Sequence, residues 1–117
     1  MVGKKDSLKK TIERFIGELS KEISVEKVIL FGSWVRKQNQ PDSDIDLIVV
    51  SPAFSKGTHI SNMQYLFRRA ARVDSRLEPI PASPDEMELL DERTFLGQAV
   101  ETGKIFFSKK RRRLISR

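Results

Sequence analysis

Apolar residues recur at helical spacing in three stretches of the chain, with lysine and glutamate filling many of the positions between them. This period predicts amphipathic helices that pack one face against a core. Asp6 or Ser7 is the expected N-cap of the first helix, because short polar side chains accept hydrogen bonds from helix-start amides. The stretches cover residues 7–20, residues 59–73 and the region between residues 84 and 102.

The helical region between residues 84 and 102 has the clearest capping residues of the three. Ser83 and Glu86 form a capping box around Pro84, which is favoured at a first helical position. We expect an interruption near Glu92, and Gly103 is the expected C-cap.

Short runs rich in apolar residues predict four strands, over residues 26–31, 44–50, 76–80 and 104–107. Pro79 and Pro81 favour an edge position for the third strand, since proline cannot donate to a ladder. Residues 51–57 are a predicted loop with Phe54 tucked against the body. The order α-β-β-α-β-α-β predicts an α/β (α+β) fold, a small mixed sheet with helices on one or both faces, as one domain over residues 1–108.

Composition narrows the class of protein. The chain has 117 residues, 38% hydrophobic and 32% charged, which is typical of one globular domain. It has no cysteine, so disulfides and thiolate metal sites are excluded. Its apolar runs are far shorter than the roughly 20 residues of a membrane span, and residues 1–10 lack the apolar core of a signal peptide. We therefore expect no membrane association and a cytoplasmic location.

Positive charge is concentrated in residues 109–117, which hold six of the 22 basic residues and no acidic one. The sixteen basic residues that remain match the sixteen acidic ones, so the predicted domain is neutral. The segment is interpreted as a basic C-terminal tail. A solvated terminus and contact with an acidic partner or RNA are both open interpretations.

The chemistry centres on residues 28–50. A predicted strand ends at Gly32-Ser33, ten residues follow, and Asp44-Ile45-Asp46 opens the next strand. Residues two apart on a strand share a face, so the two aspartates lie side by side and favour a cation between them. Carboxylate oxygens suit Mg²⁺, and a small-residue turn lets a phosphate approach backbone N–H groups.

This pattern resembles the signature of the nucleotidyltransferase superfamily that includes DNA polymerase beta. It is most similar to the minimal nucleotidyltransferases of bacteria and archaea. The resemblance implies that Asp44 and Asp46 are catalytic metal ligands for one or two Mg²⁺ ions, and that Gly32 and Ser33 bind nucleotide. Arg36 matches a basic residue that contacts phosphate, whereas Lys37 replaces a glycine that often follows it.

The family uses a third carboxylate, usually aspartate. Glu78 is the best candidate for this catalytic, metal-binding role, because its strand can lie beside the second one. Asp74 is the second candidate. His59, the only histidine, stands away from the carboxylates and is not assigned a role. Trp34 is expected either to pack under the loop or to stack on a base.

The resemblance implies Mg²⁺-dependent transfer of AMP from ATP to a hydroxyl. A chain of this length is used up by the catalytic core, so a partner protein is the expected acceptor. Minimal nucleotidyltransferases pair as antitoxins with HEPN-type toxins, which the resemblance suggests they modify on tyrosine. The alternative is a non-catalytic antitoxin or scaffold with a vestigial nucleotide site. Association with further copies of the chain is left open.

Overall fold

The computed structural model describes residues 4–40 and 42–109. Predicted features beyond Lys109, including most of the basic tail, lie outside these residues. The helices are α1 (Lys4–Ser20), α2 (Ser33–Arg36), α3 (His59–Ala71), α4 (Pro84–Glu88) and α5 (Phe95–Thr102). The strands are β1 (Lys27–Phe31), β2 (Ile45–Val50), β3 (Leu77–Ala82) and β4 (Lys104–Ser108), and a 3₁₀ turn covers Pro52–Ser55.

The strands form one mixed sheet in the order β3-β2-β1-β4. β1 pairs antiparallel with β2 and with β4, whereas β2 and β3 are parallel and are connected through α3. β3 lies at the sheet edge, where Pro79 and Pro81 need no outer ladder partner. The predicted mixed sheet and the edge position of the third strand are both confirmed.

The two faces of the sheet pack against different helices. Ile45, Leu47 and Val49 of β2 are buried with residues of α1 and α3. Ile48 and Val50 point to the opposite face, where they join Ala99 of α5 in a second buried cluster. Asp46 has the same parity as Ile48, so its side chain lies on the α5 side of the sheet.

Two helical elements differ from the sequence prediction. α1 begins at Lys4, so the expected N-cap at Asp6 or Ser7 is wrong. Immediately after Gly32, the chain forms the short helix α2 rather than an irregular loop, and Val35 and Arg36 donate backbone hydrogen bonds to the Gly32 carbonyl. The positive φ of Gly32 turns the chain sharply enough for this helix to follow the strand directly.

The predicted capping box is confirmed. The Glu86 side chain accepts from the Ser83 amide at 2.8 Å, and Ser83 Oγ accepts from the Glu86 amide at 3.2 Å. The interruption near Glu92 is also confirmed, since α4 and α5 are separate helices. None of the helices in residues 4–40 and 42–109 is long and apolar enough to cross a membrane.

Gly103 follows α5 at the C-cap as expected, but its backbone is extended rather than left-handed. A Cβ atom there would lie 2.7 Å from the carbonyl oxygens of both Ala99 and Leu30. The glycine is therefore required because the end of α5 lies directly against β1, and not because of a left-handed turn.

Candidate functional site

Gly32 brings the end of β1 against the carboxylate of Asp46. Its φ of 81° belongs to the region that favours glycine. A Cβ at this position would lie 2.3 Å from Asp46 Oδ2, far inside van der Waals contact. The glycine of the motif thus serves both the turn and the placement of an aspartate on the neighbouring strand.

Asp46 occupies the middle of three adjacent strands. It is the register partner of Phe31 on β1 and of Glu78 on β3. Directly paired residues point to the same side of a sheet, so Asp46 and Glu78 share the α5 side. Asp44 comes two residues before Asp46, just ahead of β2, and is exposed.

Electrostatic coupling links these carboxylates. Burial raises the pKa of Asp46, the nearby charge of Asp44 raises it further, and Arg36 partly opposes the change. Burial likewise raises the pKa of Glu78, with added repulsion from Asp44 and Asp46. Carboxylates that repel one another in this way are stabilised by a cation placed among them.

Whether Asp44, Asp46 and Glu78 could bind a metal ion is judged from the chemistry of their oxygen atoms. Within residues 4–40 and 42–109, no three His, Asp or Glu side chains are already gathered around one metal position. Asp44, Asp46 and Glu78 nevertheless supply hard oxygen donors on one side of the sheet, which suits Mg²⁺. A cation bound among them would offset their mutual repulsion.

Asp74, the second candidate for the third carboxylate, is engaged elsewhere. It accepts from the backbone amide of Arg76 at 2.9 Å and pairs with its guanidinium at 2.8 Å. Hydrogen bonds from the Arg76 side chain hold the pKa of Asp74 below its ordinary value. Glu78 is thus the register partner of Asp46 and within the electrostatic range of both aspartates, whereas Asp74 is paired with Arg76.

An open cleft of about 680 Å³ begins at Asp46 and Glu78. Gly32, Arg36, Asp46 and Glu78 line one end, and Arg36 is exposed there. The other wall comes from α5 through Phe95, Gln98, Ala99 and Thr102. The cleft joins the predicted phosphate and metal end to a surface that the sequence had not indicated.

The sequence does not reveal the α5 wall, because Phe95 is one of the apolar residues whose helical spacing predicts a packing face between residues 84 and 102. In the structure Phe95 is 65% exposed, so its assignment to that face was wrong. Positions 95, 98 and 102 follow helical spacing, so they form one stripe of α5. The helical spacing shows that the three residues share one face of α5, but it does not distinguish a face that lines a cleft from a face exposed to solvent.

Neither Trp34 nor His59 lines the cleft that contains Asp46 and Glu78. The Trp34 ring packs on the cluster of α1 and α3, and its Nε1–H donates to the Ser43 carbonyl at 3.3 Å. Of the two expectations for Trp34, packing beneath the loop is therefore confirmed. His59 lines a separate hollow with Asn62 and Glu86.

Comparison with protein families decides the classification. Residues 10–115 match the model of the nucleotidyltransferase domain. The chain belongs to the nucleotidyltransferase family. The predicted family membership is thereby confirmed. A comparison with curated proteins finds no significant match.

Solved structures share the nucleotidyltransferase fold. A candidate nucleotidyltransferase from Sulfolobus solfataricus matches with a TM-score of 0.67 and 18% identity, covering 91% of this chain and 85% of that chain. A chain from a crystal structure of a toxin-antitoxin with AMP-PNP matches with a TM-score of 0.57 and 21% identity, covering 87% and 74%. These likenesses confirm the predicted fold.

Proposed function

We propose that this nucleotidyltransferase transfers AMP from ATP, with Mg²⁺, to a hydroxyl of a partner protein. The observation that carries the proposal is that Asp46 and Glu78 line one end of a cleft next to Gly32, where both are under the charge of Asp44. Membership of the nucleotidyltransferase family supports the reaction class.

Each residue has a role in the proposed reaction. Asp44, Asp46 and Glu78 would hold Mg²⁺, which supplies charge neutralisation and alignment of the attacking and leaving oxygens. Gly32 allows phosphates to approach the backbone, and the Ser33 hydroxyl and Arg36 donate to phosphate oxygens. These contacts position the α-phosphate, which is the main requirement for this type of transfer.

The covalent step is a displacement at the α-phosphorus. The acceptor oxygen forms a bond to that phosphorus, the bond to the bridging oxygen of the β-phosphate breaks, and pyrophosphate leaves. The hydroxyl proton passes to a carboxylate and then to solvent. Glu78 is the proposed acceptor of this proton, because it lines the cleft beside Asp46.

A partner protein is the proposed acceptor because the described residues are occupied by the sheet, its packing helices and the nucleotide cleft. The structural similarity to a chain of a toxin-antitoxin with AMP-PNP supports this choice. On this basis the protein acts as an antitoxin, and a tyrosine hydroxyl of a HEPN-type toxin is the proposed target.

The test is incubation with α-labelled ATP, Mg²⁺ and the partner. We expect label on the partner with the wild-type chain, and at least a hundredfold loss with Asp44→Asn or Asp46→Asn, since positioned charge stabilisation is worth about that much. Asp42→Asn is a matched control, because Asp42 is an exposed carboxylate of the same loop whose charge, unlike that of Asp44, is not among those that raise the pKa of Asp46 and Glu78. Labelling that survives both aspartate substitutions would contradict the proposed site.

A non-catalytic antitoxin with a vestigial site is the second candidate. The observation in its favour is that the carboxylates of the described residues are not gathered for a metal. Calorimetry separates the two functions. Partner binding without any ATP–Mg²⁺ binding would support the second candidate, whereas ATP–Mg²⁺ binding that requires Asp46 supports the enzyme.

A further inference from the structure

The α5 end of the cleft combines an accessible aromatic ring with polar groups. Phe31 is the register partner of Asp46 and lies on the same side of the sheet. The rings of Phe31 and Phe95 meet edge to face, with centroids 5.8 Å apart and planes at 77°. Two aromatic rings therefore connect the carboxylate end of the cleft to α5.

The edge contact fixes the Phe95 ring without covering it. Phe95 remains 65% exposed, although it contacts Phe31 and lines the cleft. An accessible aromatic ring held in one orientation offers a stacking surface to a flat ligand. Single exposed apolar residues are common on proteins, so the position within the cleft matters more than the exposure alone.

Hydrogen bonding next to this ring favours a ligand that donates. The Thr102 hydroxyl donates to the Gln98 main-chain carbonyl at 2.8 Å. Its proton is thus engaged, and the oxygen presents acceptor lone pairs to the cleft. The Gln98 side-chain amide, also on the cleft wall, offers one acceptor and two donors.

This set of groups matches the edge of adenine. A glutamine amide can pair with the 6-amino group and N7 of adenine, accepting from the first and donating to the second. With a 6-oxo purine, which presents an acceptor in place of the amino group, the Gln98 amide keeps only one of the two hydrogen bonds. The Thr102 oxygen then faces an acceptor, because its own proton is engaged. Discrimination at that position follows from the donor and acceptor pattern.

Close backbone contacts hold α5 in place. A Cβ on Gly97 would lie 2.0 Å from the Asp91 carbonyl oxygen, and one on Gly103 would lie 2.7 Å from the Leu30 carbonyl oxygen. Both ends of the helix are thus packed tightly against neighbouring backbone. The wall that carries Phe95, Gln98 and Thr102 is anchored at fixed positions.

We infer that Phe95, Gln98 and Thr102 form a nucleobase subsite that stacks a purine and selects a 6-amino group. The inference rests on the proposed function, because it assumes that the triphosphate lies at Gly32 and the carboxylates. It adds the part of the ligand that is recognised at the α5 end and the residues that recognise it.

The experiment measures binding of ATP, ITP and tripolyphosphate with Mg²⁺. ITP replaces the 6-amino group by an oxo group, and tripolyphosphate has no base. We expect Phe95→Ala to weaken ATP binding about tenfold or more, as loss of one stacking contact predicts, while tripolyphosphate binding stays unchanged. Gln98→Met and Thr102→Val should reduce the preference for ATP over ITP.

Phe67→Ala is the matched control, because Phe67 is a partly exposed phenylalanine of α3 that does not line the cleft. It should leave the affinities for ATP and ITP unchanged. Equal weakening of ATP and tripolyphosphate by Phe95→Ala would indicate a general structural effect and overturn the subsite.

Three other outcomes have distinct meanings. Equal affinity of the wild-type protein for ATP and ITP would overturn the subsite and leave the proposed function standing. Unchanged ATP binding in Phe95→Ala with a raised KM for the partner would assign the α5 wall to the acceptor instead. Failure of the wild-type protein to bind both ATP and tripolyphosphate would overturn the proposed function itself.

Discussion

Gly32 is the residue on which the geometry of the site depends most directly. Gly32→Ala should lower the free energy of unfolding by about 2 kcal/mol or more, because the added Cβ meets Asp46 Oδ2 and the backbone has positive φ. It should also weaken ATP–Mg²⁺ binding, since Asp46 must move to make room. Urea unfolding and calorimetry measure the two effects.

Gly17→Ala provides the matched control for this substitution. Gly17 lies within α1, and a Cβ there would meet nothing within 4 Å. Replacing it should raise the free energy of unfolding by about 0.5–1 kcal/mol, because alanine restricts the unfolded chain and favours the helix. Equal effects of the two substitutions would contradict the assigned role of Gly32.

Lys37 shows why a departure from the family pattern has a structural cost. It has φ 60° and ψ 33°, the left-handed conformation that costs an L-residue about 1–2 kcal/mol. This is the position where the resembling proteins often carry glycine. The sequence identified the replacement, but only the backbone angles explain why glycine is common at this point after α2.

At the level of elements, α5 is the part of the site that depends most on tertiary packing. Gly97→Ala should lower the free energy of unfolding by about 1–3 kcal/mol, because its Cβ would overlap the Asp91 carbonyl oxygen and push the helix outward. Chemical denaturation measures this loss. Glu101→Ala, on an exposed position of the same helix, should change stability by no more than about 0.5 kcal/mol.

The strands were predictable because each holds a short run rich in apolar residues. That the strand of Glu78 can lie beside the second strand was also anticipated, whereas the register that pairs Asp46 with Glu78 is known only from the structure. The cleft wall was not predictable, because the exposure of Phe95 depends on where α5 lies. That position depends on the close approach of Gly103 to the Leu30 carbonyl of β1, which is distant in the sequence and leaves no local pattern.

At the level of the whole molecule, the fold places carboxylates of β2, its preceding loop and β3 within electrostatic range of one another. The raised pKa values of Asp46 and Glu78 mean that the folded state binds protons more readily than the unfolded chain. This destabilises the metal-free protein at neutral pH. The penalty disappears as the pH falls through the raised pKa values of the folded state.

Asp46→Asn should therefore raise the free energy of unfolding of the metal-free protein at pH 7, and the gain should shrink as the pH is lowered. Asp74→Asn should act in the opposite direction. Arg76 stabilises the charged form of the Asp74 carboxylate in the folded state. The Asp74–Arg76 pair therefore adds to the free energy of unfolding above the unfolded pKa of about 3.9, and this contribution is lost as the pH falls through the lowered pKa of the folded state. Urea titrations across this range measure both trends.

The wild-type protein and Asp46→Asn should also differ in their response to Mg²⁺. It should raise the Tm of the wild-type protein, because binding to the folded state alone stabilises it, and should have little effect on Asp46→Asn. A metal-independent Tm in the wild-type protein, or an Asp46→Asn variant less stable at pH 7, would contradict the assigned repulsion among the carboxylates.

Trp34 is the single tryptophan of the chain and sits in α2, one residue after Ser33. Its ring N–H holds the Ser43 carbonyl, so it bridges the Gly-Ser turn to the residue just before Asp44. The tryptophan fluorescence of the protein therefore originates between the Gly-Ser turn and the Asp44-Ile45-Asp46 segment. If the proposed site binds ATP–Mg²⁺, we expect the emission of this ring to change on binding, which a fluorescence titration of the unlabelled protein measures.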